Sequence, residues 1–392
     1  MKNIFLFFLL IGSHICSFAF THEYHVSVKG KDNQPGTALL PFQTINHAAQ
    51  IAIAGDTITV HAGTYREWIN PEHGGKSDAQ RILYRAAPGE KVEIKGSEII
   101  SGWKKAQQGI WKLKLPNSFF GDYNACNDLV SGDWCDNFSR VHTADLYING
   151  NSLFEVDSLE KVIQPTPFLK TKYKDASLLT WHCTVDIDST TIYANFKNLD
   201  PNKALTELSI RKTVFYPDKP AINYLTIRGF DISQAATQWG APTAEQIGMI
   251  ATHWNKGWII ENNNIHDSKC SGITLGKERG TGHNVWSKDP SYDGSLHYIE
   301  VTFRALRNGW NKENIGSHII RKNTIYNCEQ TGICGSFGAA FSTIQHNHIY
   351  NIHQKKQFTG AELAGIKLHA AIDAVLENNR IHDVGAFGYW MD

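Results

Sequence analysis

Four segments of the chain share one frame: Trp258-IIENNNIHDS, His318-IIRKNTIYNC, Thr343-IQHNHIYNI and Ala374-VLENNRIHDV. In each, an asparagine stands two places before an isoleucine: Asn263/Ile265, Asn323/Ile325, Asn347/Ile349 and Asn379/Ile381. An earlier segment, Leu225-TIRGFDIS, fits the same frame with Phe230 and Ile232. The apolar positions do not recur at helical spacing and the runs are rich in β-branched residues, so they predict short strands closed by asparagine turns. Recurrence at a period in the twenties predicts a β-solenoid, whose units bury their apolar sides only against their neighbours. The 24 residues from Ile325 to Ile349 make one uninterrupted coil, and the spacings of 33, 60 and 32 elsewhere hold loop insertions. The asparagines are expected to stack as a ladder, each amide bonding the next.

A second strand is predicted eight residues after each isoleucine. It aligns Gly272-ITLG with Gly332-ICGS and Gly388-YWMD, and, after an insertion, with Gly365-IKLH. Alternation sends Ile273/Leu275, Ile366/Leu368 and Tyr389/Met391 inward. Thr274, Lys367 and Trp390, followed by Gly276, Ser336, His369 and Asp392, are expected to face solvent. Asp392 then lies beside His369, one coil away, at about 4.8 Å of backbone spacing.

Phe42-QTINHAAQIA predicts a short amphipathic helix sealing the open end of the solenoid, ahead of the strand at Thr57. From about Trp103 the pattern breaks. Alternating runs such as Ala144-DLYINGNSLFEV and Thr190-TIYANF predict an inserted antiparallel β-sandwich over 103–205. Solenoid coils occupy 20–102 before it and 206–392 after it. A further insertion, Gly276 to Gly316 with Trp286, Tyr292 and Trp310, is expected to overhang the outer face. The sequence ends on an apolar strand with a coil unfinished, so the chain is expected to be a fragment.

Lys2, the apolar run Ile4 to Ile11 and Ser17-Phe18-Ala19 read as a signal peptide over 1–19, with a retained signal anchor as the alternative. The protein is therefore expected to be secreted or periplasmic. Six cysteines then remain, and Cys126 with Cys135 is the nearest plausible loop pair; buried free thiols are the other reading. There is no CxxC pair and no metal-ligand spacing. Charge is balanced, 38 Lys+Arg against 38 Asp+Glu, which offers no basis for a nucleic-acid or membrane partner.

β-Solenoids carry lyases, glycosidases, esterases and adhesins, so the fold alone does not choose among them. Glycoside hydrolysis needs two carboxyls, about 5–5.5 Å apart for retention. On the outer row these are Asp392 and Glu362, the latter suited to binding sugar hydroxyls or to acting as the acid; ordinary solvated carboxylates are the alternative for both. His266 and His382 share a repeat position with Tyr326 and Tyr350, which favours an aromatic stack over a metal site. A calcium-dependent lyase would want clustered outward aspartates, and none are seen.

Ala54-GDTITVHAGTYREW, Leu115-PNSFFGDYN, Gly132-DW, Phe215-YP, Gly257-WIIENNNIHDSKCSGITLGKE, Arg307-NGWNKENIGSHIIRKNTIYNC, Ala364-GIKLHAAID and Arg380-IHDVGAFGYWMD carry a resemblance that covers the mature chain. The chain resembles glycoside hydrolase family 120, β-xylosidases built on a right-handed parallel β-helix (a pectin-lyase-like solenoid) with an inserted antiparallel β-sandwich. The resemblance implies a retaining hydrolysis that releases xylose from the non-reducing ends of β-xylosides and xylo-oligosaccharides, without cofactor or metal. It maps the nucleophile onto Asp392 and sugar contacts onto Trp134 and Glu362; Lys367, His369 and Trp390 join them from the outer row as substrate-binding candidates. A homo-oligomer remains open. Ala361 stands where the family pattern has a histidine, which leaves the choice between xylose and a relative such as arabinose open. The family's general acid/base is a glutamate about one coil past the nucleophile, so this chain alone is expected to be nearly inactive. A lyase or other β-helix carbohydrate-active enzyme, or a non-catalytic glycan-binding surface protein, is the alternative.

Overall fold

The computed structural model describes residues 21–277, 279–281 and 294–392. The signal-peptide reading of 1–19, and Trp286 and Tyr292, lie outside the described residues.

Two parallel sheets run the length of a β-helix, and a third covers its later coils. The first has eight strands, from Glu23–Val26 to Val375–Glu377; the second has seven, from Gly63–Tyr65 to Arg380–Val384. The third holds Ile250–Ala251, Ser271–Leu275, Thr331–Ser336, Ala364–His369 and Phe387–Met391. Register follows the isoleucines. Ile227, Ile260, Ile320 and Ile344 stack in the first sheet, Ile232, Ile265, Ile325 and Ile349 in the second, and Ile250, Ile273, Ile333 and Ile366 in the third. All twelve are fully buried in one continuous core, and each contributes roughly 1.5–3 kcal/mol of apolar burial. A slip of one residue would turn the whole column outward, so the pattern that predicts the strands also fixes their pairing.

The ladder forms as the sequence implies. Asn263 Nδ2 donates to Asn323 Oδ1 at 3.1 Å, Asn323 Nδ2 to Asn347 Oδ1 at 3.0 Å, and Asn347 Nδ2 to Asn379 Oδ1 at 3.0 Å. Each oxygen also accepts the backbone N–H of the asparagine before it. The turn thereby satisfies buried amides that the sheets leave unpaired. The expected ring stack is present too, with centroids 4.7 Å apart for His266–Tyr326, 5.0 Å for Tyr326–Tyr350 and 5.4 Å for Tyr350–His382.

Helix α1 (Ile45–Ile51) is capped by the Thr44 hydroxyl and buries Ile45, Ala48 and Ala49 against the first coils. Two sheets make the inserted domain, one of five strands and one of four, around a core of Trp103, Trp111, Trp181, Ile192 and Phe196. The expected antiparallel pairing has one exception: Phe154–Glu155 runs parallel to Thr180–Val185. The four-stranded sheet includes Ser97–Ile99 and Thr206–Ser209, so the sandwich begins and ends a few residues outside 103–205. A short helix, α2 (Leu159–Ile163), lies within this domain, and α3 (Gly294–Arg307) lies in the later insertion. Among the described residues no helix is long and apolar enough to cross a membrane.

Of the two readings of the cysteines, free thiols are found and the Cys126–Cys135 pair is not. Cys126 and Cys183 share the sandwich core, whereas Cys135 packs in a separate cluster with Trp239 and Phe358. All six described cysteines are free thiols.

Candidate functional site

The third sheet carries the site on its outer face. Ala364–His369 and Phe387–Met391 pair in parallel, which sets Lys367 beside Trp390 and leaves His369 level with Asp392. Lys367 Nζ donates to Asp392 Oδ2 in a short contact and lies 3.8 Å from Glu362 Oε2. His369 Nε2 lies 3.1 Å from Glu362 Oε2 and 3.4 Å from Asp392 Oδ2. Trp390 Nε1 donates to Asp392 Oδ1 at 2.9 Å, and its ring lies under the Lys367 ammonium at 4.2 Å. Five of the six residues singled out in the sequence therefore meet within one hydrogen-bonded cluster.

Their surroundings correct one expectation. Lys367 and His369 point away from the solenoid axis but not into water: Lys367 is 1% exposed and His369 8%. Inserted elements cover this face. Tyr298 of α3 packs its ring 5.4 Å from His369 and 5.7 Å from Phe337, and Trp310 meets Phe337 edge-on at 5.0 Å. The Asp392 side chain keeps 43% of its surface open. The cluster is thus a buried cationic floor beneath one accessible carboxylate.

The sixth residue, Trp134, arrives from the inserted domain. It occupies a turn closed by the Cys135 amide on the Gly132 carbonyl and adopts φ 58°, a left-handed conformation that tryptophan seldom takes. Tertiary contacts hold it there. The Trp134 carbonyl accepts the Ala361 amide at 3.1 Å, and Cys135–Asp136 pairs antiparallel with Thr359–Gly360. Gly360 is required at this crossing, because a Cβ would stand 2.3 Å from the Trp134 carbonyl oxygen and 2.6 Å from the Trp239 ring. Gly294, at the start of α3, lets the helix approach the Trp134 indole; a Cβ there would meet it at 2.7 Å.

Five residues missed in the sequence secure this arrangement. Asp133 Oδ2 accepts from Thr243 Oγ1 at 2.6 Å and lies 2.8 Å from His297 Nδ1, which ties the Trp134 turn to α3. Trp239 donates its indole N–H to the Asp133 carbonyl at 2.9 Å. Tyr298 is the fifth. The helix had a legible signal, since His297, Val301 and Ala305 are buried at i, i+4 and i+8.

The charges act in a definite direction. Burial pushes the Asp392 carboxyl up, but Lys367, with Trp390 and His369, outweighs it and holds the carboxyl below the usual aspartate range. The Tyr298 phenol is pushed up to about 12, by burial first and then by the nearby Asp392 and Glu362 carboxylates. Oxygens of Glu362 and Asp392 and a ring nitrogen of His369 lie within 4.8 Å of one another, a spacing that suits a metal ion. The Lys367 ammonium already sits on both carboxylates and supplies the positive charge such an ion would bring.

A family model described as the insertion domain of glycoside hydrolase 120 matches residues 100–208, the span of the sandwich. The chain carries the glycoside hydrolase 120 insertion domain. A right-handed β-helix model matches 249–392, and a family of unknown function (DUF1565) matches 28–72. XylC, solved in complex with xylose, is 48% identical and superimposes with a TM-score of 0.91 over 94% of this chain, which spans 60% of the XylC chain. The family 120 resemblance and the right-handed β-helix therefore stand. An uncharacterized protein, YwoF, of Bacillus subtilis (strain 168) is 37% identical over 75 residues, 19% of this chain and 16% of that protein. Pectate lyase PEL9 of Emericella nidulans is 33% identical over 100 residues, 25% of this chain and 23% of that protein.

Proposed function

We propose that this chain is the nucleophile-bearing part of a retaining glycoside hydrolase that acts on β-xylosides, with Asp392 as the nucleophile. The observation that carries the reading is the Asp392 carboxylate, fixed by Lys367, His369 and Trp390 beside the buried Glu362. Oδ2 faces two cationic or polar donors and Oδ1 only an indole N–H, so Oδ1 is the better nucleophile. It attacks the anomeric carbon as the bond to the aglycone oxygen breaks and that oxygen keeps the electron pair; water then releases the sugar with net retention. Glu362 contacts the same lysine and histidine as Asp392. It therefore lies on the same side of the bond, where it accepts sugar hydroxyls rather than protonating the opposite face. Trp134, a residue about one-third exposed, offers a flat apolar platform for the sugar. Xylose in the XylC complex supports the choice of sugar. The reading also takes the protein to be exported, secreted or periplasmic, through residues 1–19.

The test uses 2,4-dinitrophenyl β-xyloside and its 2-deoxy-2-fluoro derivative. Their leaving group departs without protonation, so they isolate the step assigned to Asp392 from any general acid. Intact-mass measurement should find one fluoroxylosyl group on the 392-residue chain, located on Asp392 and missing from Asp392→Asn. Absence of label, with xylo-oligosaccharide binding intact, would favour a non-catalytic glycan-binding protein.

A further inference from the structure

Lys367 is the most deeply buried charged group of the site, at 1% exposure, yet it is placed on the strand as if to meet substrate. Its ammonium is already committed to Asp392 Oδ2, Glu362 Oε2 and the face of Trp390. At this burial the lysine is closed off from solvent, which separates it from Trp134 and Asp392.

We propose that Lys367 is a positioning residue for the reaction: its ammonium grips Asp392 Oδ2, fixes the plane of the carboxylate, and leaves Oδ1 aimed at the sugar. The inference rests on the hydrolase reading for its chemistry, and on geometry alone for the coupling between the two residues. Trp390 completes the device, because one indole both donates to Oδ1 and stacks on the cation that holds Oδ2. The other titratable groups facing the carboxylate are His369, Glu362 and Tyr298, joined in the 392-residue chain by the α-carboxylate of Asp392 itself. Among these groups the ammonium is the fixed cation in contact with Asp392, so removing it should raise the carboxyl's midpoint. A buried lysine of merely structural value would change stability without changing the labelling rate of the ionised carboxylate above that midpoint.

The experiment follows Asp392 by carbon-13 carboxylate NMR in the 392-residue chain, assigned with Asp392→Asn, alongside the fluoroxylosyl labelling rate against pH. Lys367→Met should raise the Asp392 midpoint. The labelling rate below that midpoint should fall roughly tenfold for each unit it rises, and Lys367→Arg should restore most of both. Should the methionine variant not fold, Lys367→Gln, which keeps a donor but no charge, takes its place. An unchanged Asp392 midpoint in a folded, uncharged variant would overturn the proposal. Failure of the parent chain to label would count against the hydrolase reading, while the titration would still decide whether Lys367 governs Asp392.

Discussion

The main-chain carbonyl of Trp134 accepts the amide of Ala361 at 3.1 Å, which fastens the inserted domain to the coil one residue before Glu362. Through this bond a side chain from the sandwich is held level with carboxylates from the solenoid. The joint has no slack, because Gly360 already brings the two backbones to their closest approach.

Gly360→Ala should therefore push the Trp134 turn away from the third sheet. Misplacement on the ångström scale can cost about a hundredfold in rate. We expect a loss of that order in labelling efficiency together with a destabilisation of about 1–3 kcal/mol from the crowding at Trp239, measured by intact mass and differential scanning calorimetry.

The sandwich is also held by a buried charge cluster. Asp145 lies 3.1 Å from Lys355 Nζ and 3.5 Å from Lys269 Nζ, and Lys355 Nζ further donates to Ser152 Oγ and the Leu153 carbonyl. Burial pushes the Asp145 carboxyl up, but the two lysines more than offset it and hold it low. Asp145→Asn leaves the buried Lys355 without its salt-bridge partner and Lys269 with only Glu155, 3.9 Å away, and should destabilise the protein by about 3–5 kcal/mol. Urea denaturation would check this, and Asp145→Asn combined with Lys355→Met should recover part of the loss.

His318 is fully buried and accepts the Trp258 amide at Nδ1, 3.1 Å away. Burial, helped by Arg81, pushes its pKa down to about 3. The fold thus favours the neutral ring. The stability this gives is complete above the unfolded value near 6.5 and is lost progressively as pH falls toward 3. His318→Asn keeps an acceptor that does not titrate in this range. It should flatten the acid side of the stability curve between pH 6.5 and 3, as read from melting temperatures across that window.

Within the ladder, Asn347 accepts the backbone and side-chain amides of Asn323 and donates to Ile320 and Asn379. Asn347→Ala strands the buried Asn323 amide and should cost roughly 2–4 kcal/mol. Amide hydrogen exchange should show faster opening around residues 320–350 than elsewhere in the solenoid.

The sequence made the solenoid legible where one physical rule acts at a fixed interval. Buried isoleucines and the Asn263–Asn379 column answer to the same coil period, so register followed from spacing, and with it the meeting of His369 and Asp392. What escaped notice lies between units of different period. The Asp133–His297 contact and the Trp134–Ala361 bond join segments far apart in sequence, and no periodic pattern links them. Lys367 was placed on the correct side of its strand but read as solvent-facing, because alternation reports direction from the axis and not what covers the outer surface. The cysteines stayed open between a Cys126–Cys135 pair and free thiols for a related reason: closeness in sequence does not report closeness in space, and the sandwich core sets Cys126 with Cys183.

The stacked register has a consequence for how the site tolerates change. Lys367 and Asp392 belong to neighbouring rungs, and the separation of rungs is a property of the backbone hydrogen bonds, the same at every height of the solenoid. Their mutual distance is therefore built by the sheet before any sugar arrives. Loops on either side can lengthen, shorten or change composition, as the uneven spacings of the coils show they have, while the distance from cation to carboxylate stays constant.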